Sequence, residues 1–297
     1  MCFRNRVSLR DSMRGIVEEP LLQLVPKRFD YIGNVAVISI PSELAAYNEV
    51  IASKLFSMRG NTQAVLNKVS KLEGEHRIAD FEVLLGESTE TIHRENGYTY
   101  KLDVKKVFFN PRLYSERKRV ASKIKSGERI IIPFAGVGPF VLPAAGKGAR
   151  VYAIEINPEA CACLKENIRI NRLEEQITVI QENFENLFRN ENILHTENSL
   201  SAFPNPGKRK DENIQVPDRG FDRAIVPTPY GMDHFLGKIS KLVRKGGYIH
   251  FYTFKAESQI PGLINEYKKM GFGVEHYRRA GNVAPGISRW VFDLIKK

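Results

Sequence analysis

The sequence is poor in cysteine: three residues in 297, at Cys2, Cys161 and Cys163. A sparse, odd count excludes a disulfide framework and suits a reducing compartment. Cys161 and Cys163 make a C-x-C pair, but no second pair and no spaced histidine pair accompanies them. Structural zinc needs a full set of nitrogen or sulfur ligands, so no metal is expected. The chain also lacks any apolar run near the roughly 18 residues of a membrane span. The opening MCFRNRVSLRDSMRG has no apolar core of the kind a secretory signal carries. No membrane association is expected, and the cytoplasm is the expected compartment. No internal repeat is visible.

What the chain has in surplus is positive charge. Its 45 Lys+Arg against 34 Asp+Glu give a net charge of +11 and a pI near 9.5. That excess points to a polyanionic partner, nucleic acid first. The basic residues are spread along the chain rather than gathered in an unfolded tail. With 42% apolar and 27% charged residues, the composition is that of a folded globular protein.

Patterning changes along the chain. Residues 1–27 are weakly patterned and read as a loose N-terminal arm. YIGNVAVISI (31–40) reads as one strand. Leu44, Tyr47, Ile51, Leu55 and Met58 follow at helical spacing. AVLNKVS (64–70), FEVLLG (81–86), TETIHREN (89–96) and YTYKLDVKKVFF (98–109) read as further strands. Residues 28–112 are therefore expected to form a small α+β domain that binds RNA and supports catalysis. A helix near 115–125 opens a second domain, 113–297. There, ERIIIPF, ARVYAIE, ITVIQ, FDRAIVP and YIHFYTF alternate with helical segments at 139–147, 158–171, 231–244 and 258–270. That alternation predicts an α/β fold, Rossmann-like, with a parallel sheet covered on both faces. FGVEHYRRA and SRWVFDLI predict a terminal antiparallel hairpin. Residues 189–219, rich in Asn, Ser, Pro and charge, read as a flexible insertion.

The chemistry-bearing stretch is IIIPFAGVGPF (130–140). A strand runs into Gly136-Val137-Gly138, and Pro139 is a favoured first helical residue. Such a start offers free backbone N–H groups to a ligand. A dinucleotide fingerprint would require glycine where Val141 stands, and no GK[ST] follows for a Walker loop. The next strand ends at Glu155, 17 residues after Gly138, where an acid accepts from ribose hydroxyls. A loop and an acid so spaced suit a nucleoside without phosphates, of which S-adenosylmethionine is the common case.

FAGVGPF (134–140), AIEINPEA (153–160) and LKENIRIN (164–171) resemble the archaeal and eukaryotic-type tRNA (guanine-N1)-methyltransferase family. The likeness extends through FDYIGNVAVISIP (29–41), EGEHRIADFEVLLGESTETIHRENG (73–97) and FFNPRLYSER (108–117), the last being the most specific. The resemblance implies methyl transfer from S-adenosylmethionine to N1 of the guanine at position 37 of tRNA, by a monomer that engages the anticodon stem-loop. It implies Glu116 as general base and Arg77 as the cation over O6. It assigns Arg117, Phe134, Gly136, Gly138, Glu155, Ile156, Asn183 and Phe184 to the cofactor. Phe108, Pro227, Thr228, Pro229 and Tyr230 fall at substrate-binding positions.

The reaction supports those roles. N1 of guanine carries a proton that must leave as the methyl arrives, and a desolvated carboxylate whose pKa rises toward neutrality suits that task. Charge then gathers on O6, where a cation stabilises it. Two departures from the family pattern stand out. Few residues precede the matching region, where the family carries a module that reads the tRNA outer corner, so a stem-loop is expected to be modified nearly as well as full tRNA. Pro227 occupies the place of a family Asn, and Thr228 or Tyr230 is expected to replace its hydrogen bonds. The rivals are a wybutosine-type transferase that adds an aminocarboxypropyl or methyl group to a tricyclic guanine derivative, and an RNA-binding protein that transfers nothing.

Overall fold

The protein is described from a computed structural model, which covers residues 8–70, 79–186 and 220–297. It divides into two compact units, Met1–Pro111 and Arg112–Lys297.

The first unit begins with two single-turn helices, α1 (Leu9–Ser12) and α2 (Glu19–Leu22). The expected loose arm is thereby corrected over its described part. Leu9, Met13, Val17, Leu22 and Val25 are all buried in one core with Ile38, Leu44, Ile51 and Leu55. Arg10 pins the segment by donating from Nε to the Val25 carbonyl at 3.3 Å. Leu9, Met13 and Val17 stand four apart, and Leu22 and Val25 follow at steps of five and three, across two short helices rather than one long one.

β1 (Asp30–Ile32) and β2 (Val35–Ile38) pair antiparallel, so the single strand expected over 31–40 is in fact a hairpin. Gly33 makes the turn at φ 55°, and a Cβ there would lie 2.2 Å from Thr91 Oγ1. α3 (Asn48–Met58) leads to β3 (Ala64–Lys68), which runs parallel to β2, and β4 (Phe81–Gly86) completes the order β1-β2-β3-β4. β5 (Glu90–Glu95) and β6 (Tyr98–Asp103) form a separate hairpin.

The second unit opens with α4 (Tyr114–Ala121) and β7 (Arg129–Pro133), then α5 (Val141–Ala145), β8 (Arg150–Glu155), α6 (Pro158–Ile170) and β9 (Ile177–Gln181). After the segment that lies outside the described residues come β10 (Phe221–Val226), α7 (Phe235–Leu242), β11 (Val243–Lys255), α8 (Ile260–Lys269), β12 (Phe272–Ala284) and β13 (Ile287–Lys296). The sheet order is β12-β13-β11-β10-β7-β8-β9. β7 to β11 are parallel, and β13 and β12 close the edge antiparallel. This is the Rossmann-like sheet and terminal hairpin that the alternation predicts. Strand order reverses between β7 and β10, the switch point beside which open α/β sheets bind ligands. The core gathers Phe221, Ala224, Phe235, Ile249, Phe251 and Phe292.

Candidate active site

The loop after β7 holds its shape through positive φ angles at Phe134 (56°), Gly136 (55°) and Gly138 (95°). Gly138 is required twice over. Its φ disfavours a side chain, and a Cβ would lie 2.6 Å from Leu164 Cδ1 on α6. The helix begins at Val141, two residues beyond the expected Pro139.

Glu155 organises the loop from the end of β8. One carboxylate oxygen accepts from Gly136 N at 2.7 Å, and the other from Ile156 N at 3.0 Å and Asn157 N at 2.9 Å. Gly136, Glu155 and Ile156 are thus brought together. Asn157 caps α6 by accepting from Glu159 N at 3.0 Å, with Pro158 at the first helical position. Asn167, fully buried, reaches from α6 to the Val137 carbonyl at 3.1 Å. Sequence reasoning passed over Asn167, although a polar residue inside the apolar row of Leu164 and Ile168 was its signal. Cys161 donates from Sγ to the Glu155 carbonyl at 3.4 Å, and burial pushes its thiol up to about 12.

Phe134 and Phe184 meet edge to face at 6.0 Å, and both meet Phe235. Phe184 is buried, while Phe134 and Ile156 stay partly exposed. Asn183 Oδ1 accepts from Glu185 N at 2.9 Å. The loop from Phe134 to Phe140 contains no cation. A carboxylate and apolar walls without a cation fit a ribose-bearing nucleoside and do not fit a pyrophosphate.

The second centre lies around Glu116 on α4, 2% exposed. Tyr252 donates its hydroxyl to Oε1 at 2.9 Å. Arg119 donates from Nη2 to Oε1 at 2.7 Å and from Nε to Oε2 at 3.0 Å. Arg278 donates from Nε to Oε2 at 2.9 Å and from Nη2 to the same oxygen. Strand register explains the convergence. Tyr252 and Arg278 are both partners of Val291 on β13, one on each side. Residues directly opposite across a sheet share a face, so both point the same way. The expected rise in the pKa of Glu116 is corrected. Burial pushes the carboxyl up, but hydrogen bonds and charge from Arg119, Arg278 and Tyr252 outweigh it and hold it below the ordinary value.

A further chain of charge supports Arg119. Asp293 Oδ2 accepts from Arg119 Nη1 at 2.6 Å and from Lys123 Nζ at 2.5 Å. His250, fully buried, donates from Nδ1 to Asp293 Oδ1 at 2.6 Å, because Arg223 Nη1 occupies its Nε2 at 2.7 Å. Burial is the largest influence on His250 and pushes its pKa down against the opposing pull of Asp293. Arg223 also forks onto Glu128 at 2.7 and 2.9 Å. Asp293, His250 and Arg223 come from strands far apart in the chain, so their meeting was not legible in the sequence.

The remaining expected residues are placed as follows. Arg117 is buried. Thr228, expected to present its hydroxyl, is 3% exposed and donates instead to the Val226 carbonyl at 3.1 Å. Pro229 is buried and Pro227 partly exposed, whereas Tyr230 is exposed and meets Phe254 at 5.3 Å. In the first unit Phe108 is exposed, while Phe109 takes the core place against His93 and Tyr100. Arg77 and the 189–219 insertion lie outside the described residues.

Comparison with known proteins adds the following. Residues 91–203 match the TRM5/TYW2 methyltransferase domain, and residues 9–89 match the TYW2 N-terminal domain. A tRNA (guanine(37)-N(1))-methyltransferase of Pyrococcus abyssi is 37% identical over 250 residues, 83% of this chain and 66% of that protein. The chain thus spans just under two thirds of that relative's length. A tRNA(Phe) (4-demethylwyosine(37)-C(7)) aminocarboxypropyltransferase of Pyrococcus horikoshii is 32% identical over 294 residues, 96% of this chain and 95% of that protein. The crystal structure of Methanocaldococcus jannaschii Trm5 in complex with adenosine superposes with a TM-score of 0.75 at 26% identity, covering 98% of this chain and 79% of that one.

Proposed function

Because the chain belongs to the TRM5/TYW2 methyltransferase family, we propose that it transfers a methyl group from S-adenosylmethionine to N1 of the guanine at position 37 of tRNA. The observation that carries this reading is Glu116: a buried carboxylate joined through Tyr252 to Phe140, whose ring meets Tyr252 at 5.5 Å at the end of the glycine loop. A proton acceptor so linked to a nucleoside-fitting loop is what methylation of a protonated ring nitrogen needs.

When bound, S-adenosylmethionine supplies an electrophilic methyl on its sulfonium. Glu155 would take the ribose hydroxyls, and Phe134 and Ile156 would flank the adenine, with Asn183 beside them. Glu116 accepts the N1 proton as N1 gains the methyl. A cation is needed at O6, and the family likeness gives that part to Arg77. The basic surplus suits the phosphates of an anticodon stem-loop, and a monomer acting in the cytoplasm is the simplest form of the enzyme.

A second reading has its own support. The aminocarboxypropyltransferase is matched along nearly its whole length, and Pro227 removes a base-reading side chain. Nucleoside mass spectrometry decides between them, with unmodified tRNA assayed beside tRNA that carries the tricyclic precursor. A methyl mass on guanine in unmodified tRNA is expected. Modification of the precursor alone, or an aminocarboxypropyl mass, overturns the first reading in favour of the second.

A further inference from the structure

Glu116 has too many donors for a base at rest. A carboxylate offers about four lone-pair sites, and Tyr252, Arg119 and Arg278 together fill them. No lone pair is left for an incoming N1–H, so one donor has to leave. Tyr252 is 1% exposed within the sheet. Arg119 is tied on its other side to Asp293 at 2.6 and 3.0 Å. Arg278 differs from both. It stands on the outermost strand with 38% of its side chain exposed. Among the described residues, its polar contacts all go to Glu116.

A guanidinium grips phosphate in the same forked geometry as carboxylate. We propose that Arg278 is a latch on Glu116: in the free protein it closes Oε2, and on RNA binding it moves to a backbone phosphate and opens Oε2 to the target base. This rests on the reading of Glu116 as the base. Arg119 and Tyr252 stay in place and keep the carboxylate aimed. With one cation gone, burial counts for more and the proton affinity of Glu116 rises, the direction a general base requires. The groups that face Glu116 are Arg119 from its own helix, Tyr252 from β11 and Arg278 from β12. Behind Arg119 stand Asp293 from β13, with His250 and Lys123 on it. Of the three groups that face Glu116 directly, Arg278 is the one both part-exposed and singly anchored. It is therefore a positioning residue that acts through Glu116.

The test is a carboxyl titration by NMR on full-length protein labelled with 13C at glutamate Cδ, with Glu116→Gln assigning the resonance. Free wild-type Glu116 should titrate below the usual ~4.3. An anticodon stem-loop RNA should raise that midpoint by about one pH unit or more, a tenfold change in proton affinity. Arg278→Gln should raise it by a similar amount without RNA, and RNA should then add little. In RNA binding, Arg278→Gln should also lower the slope of log K against log salt by about one, the mark of one lost phosphate contact. An unmoved wild-type midpoint on RNA binding overturns the proposal, and this arm needs no variant to fold. An unchanged salt slope in a folded Arg278→Gln also overturns it. Failure of the base reading looks different: Glu116→Gln would modify RNA near the wild-type rate while the RNA-induced shift in wild type persists.

Discussion

Tyr252 links the two centres of the second unit: its hydroxyl donates to Glu116 at 2.9 Å, and its ring lies 5.5 Å from that of Phe140 at the end of the glycine loop. One fully buried side chain on β11 thereby ties the candidate base to the loop. Tyr252→Phe keeps the ring and removes the donor. Stability should fall by about 1 kcal/mol, the order of one hydrogen bond. Since that bond helps hold the Glu116 pKa down, its loss should move the acid limb of the rate profile to higher pH. Single-turnover rates across pH check this, and an unmoved limb would separate Tyr252 from Glu116.

Glu155 holds the backbone through Gly136, Ile156 and Asn157, and its proposed role toward the cofactor ribose can be read separately. Glu155→Ala should weaken S-adenosylmethionine binding by about 1.5–3 kcal/mol, the order of a lost charged hydrogen bond. Calorimetry reads the change directly. Unchanged affinity would remove Glu155 from the cofactor site.

Asp293 receives three cationic or ring donors in a buried setting. Burial pushes its carboxyl up, but the bonds from His250, Arg119 and Lys123 prevail and hold it well below the usual carboxylate range. A carboxylate lowered in the folded state stabilises fully above its unfolded pKa, near ~3.9, and loses that contribution as pH falls toward the folded value. Asp293→Asn should cost about 3 kcal/mol at neutral pH, as for one broken buried pair. The gap from wild type should narrow below about pH 4. Urea unfolding at pH 7 and pH 3 gives both values, and an equal gap at the two pH values would contradict the ion-pair account.

Pro227 and Pro229 bracket Thr228 after β10. Because the Thr228 hydroxyl is spent on Val226, Tyr230 is left as the exposed polar side chain of this stretch. Pro227→Asn should preserve or raise methyl transfer to guanine by restoring a donor and an acceptor. Pro229→Ala should lower it, because proline fixes φ and stiffens the chain there. Quantifying methylated guanosine by mass spectrometry checks both, and a fall with Pro227→Asn would show that the pocket is shaped for a bulkier base.

Local features were legible because local chemistry decides them. The alternation of short apolar strands with helices predicts the parallel sheet. The helical pattern over 158–171 marks α6, and Gly136-Val137-Gly138 with Glu155 marks the loop and its acid. These readings rest on period and backbone freedom, both properties of neighbouring residues. The tertiary structure alone decided the rest. Gly33 turns the chain because Thr91 leaves no room for a Cβ, a fact of packing between separate hairpins. Leu9, Met13, Val17, Leu22 and Val25 are buried because the core of the first unit accepts them, which the short helices that carry them do not announce. The setting of Glu116 depends on Tyr252 and Arg278 flanking Val291 in register. A one-residue slip would send those side chains to the opposite face. The charges that reverse the pKa of Glu116 come from residues up to 162 positions away. Periodicity sets which face of a strand is apolar, but only pairing in three dimensions brings a given arginine to a given carboxylate.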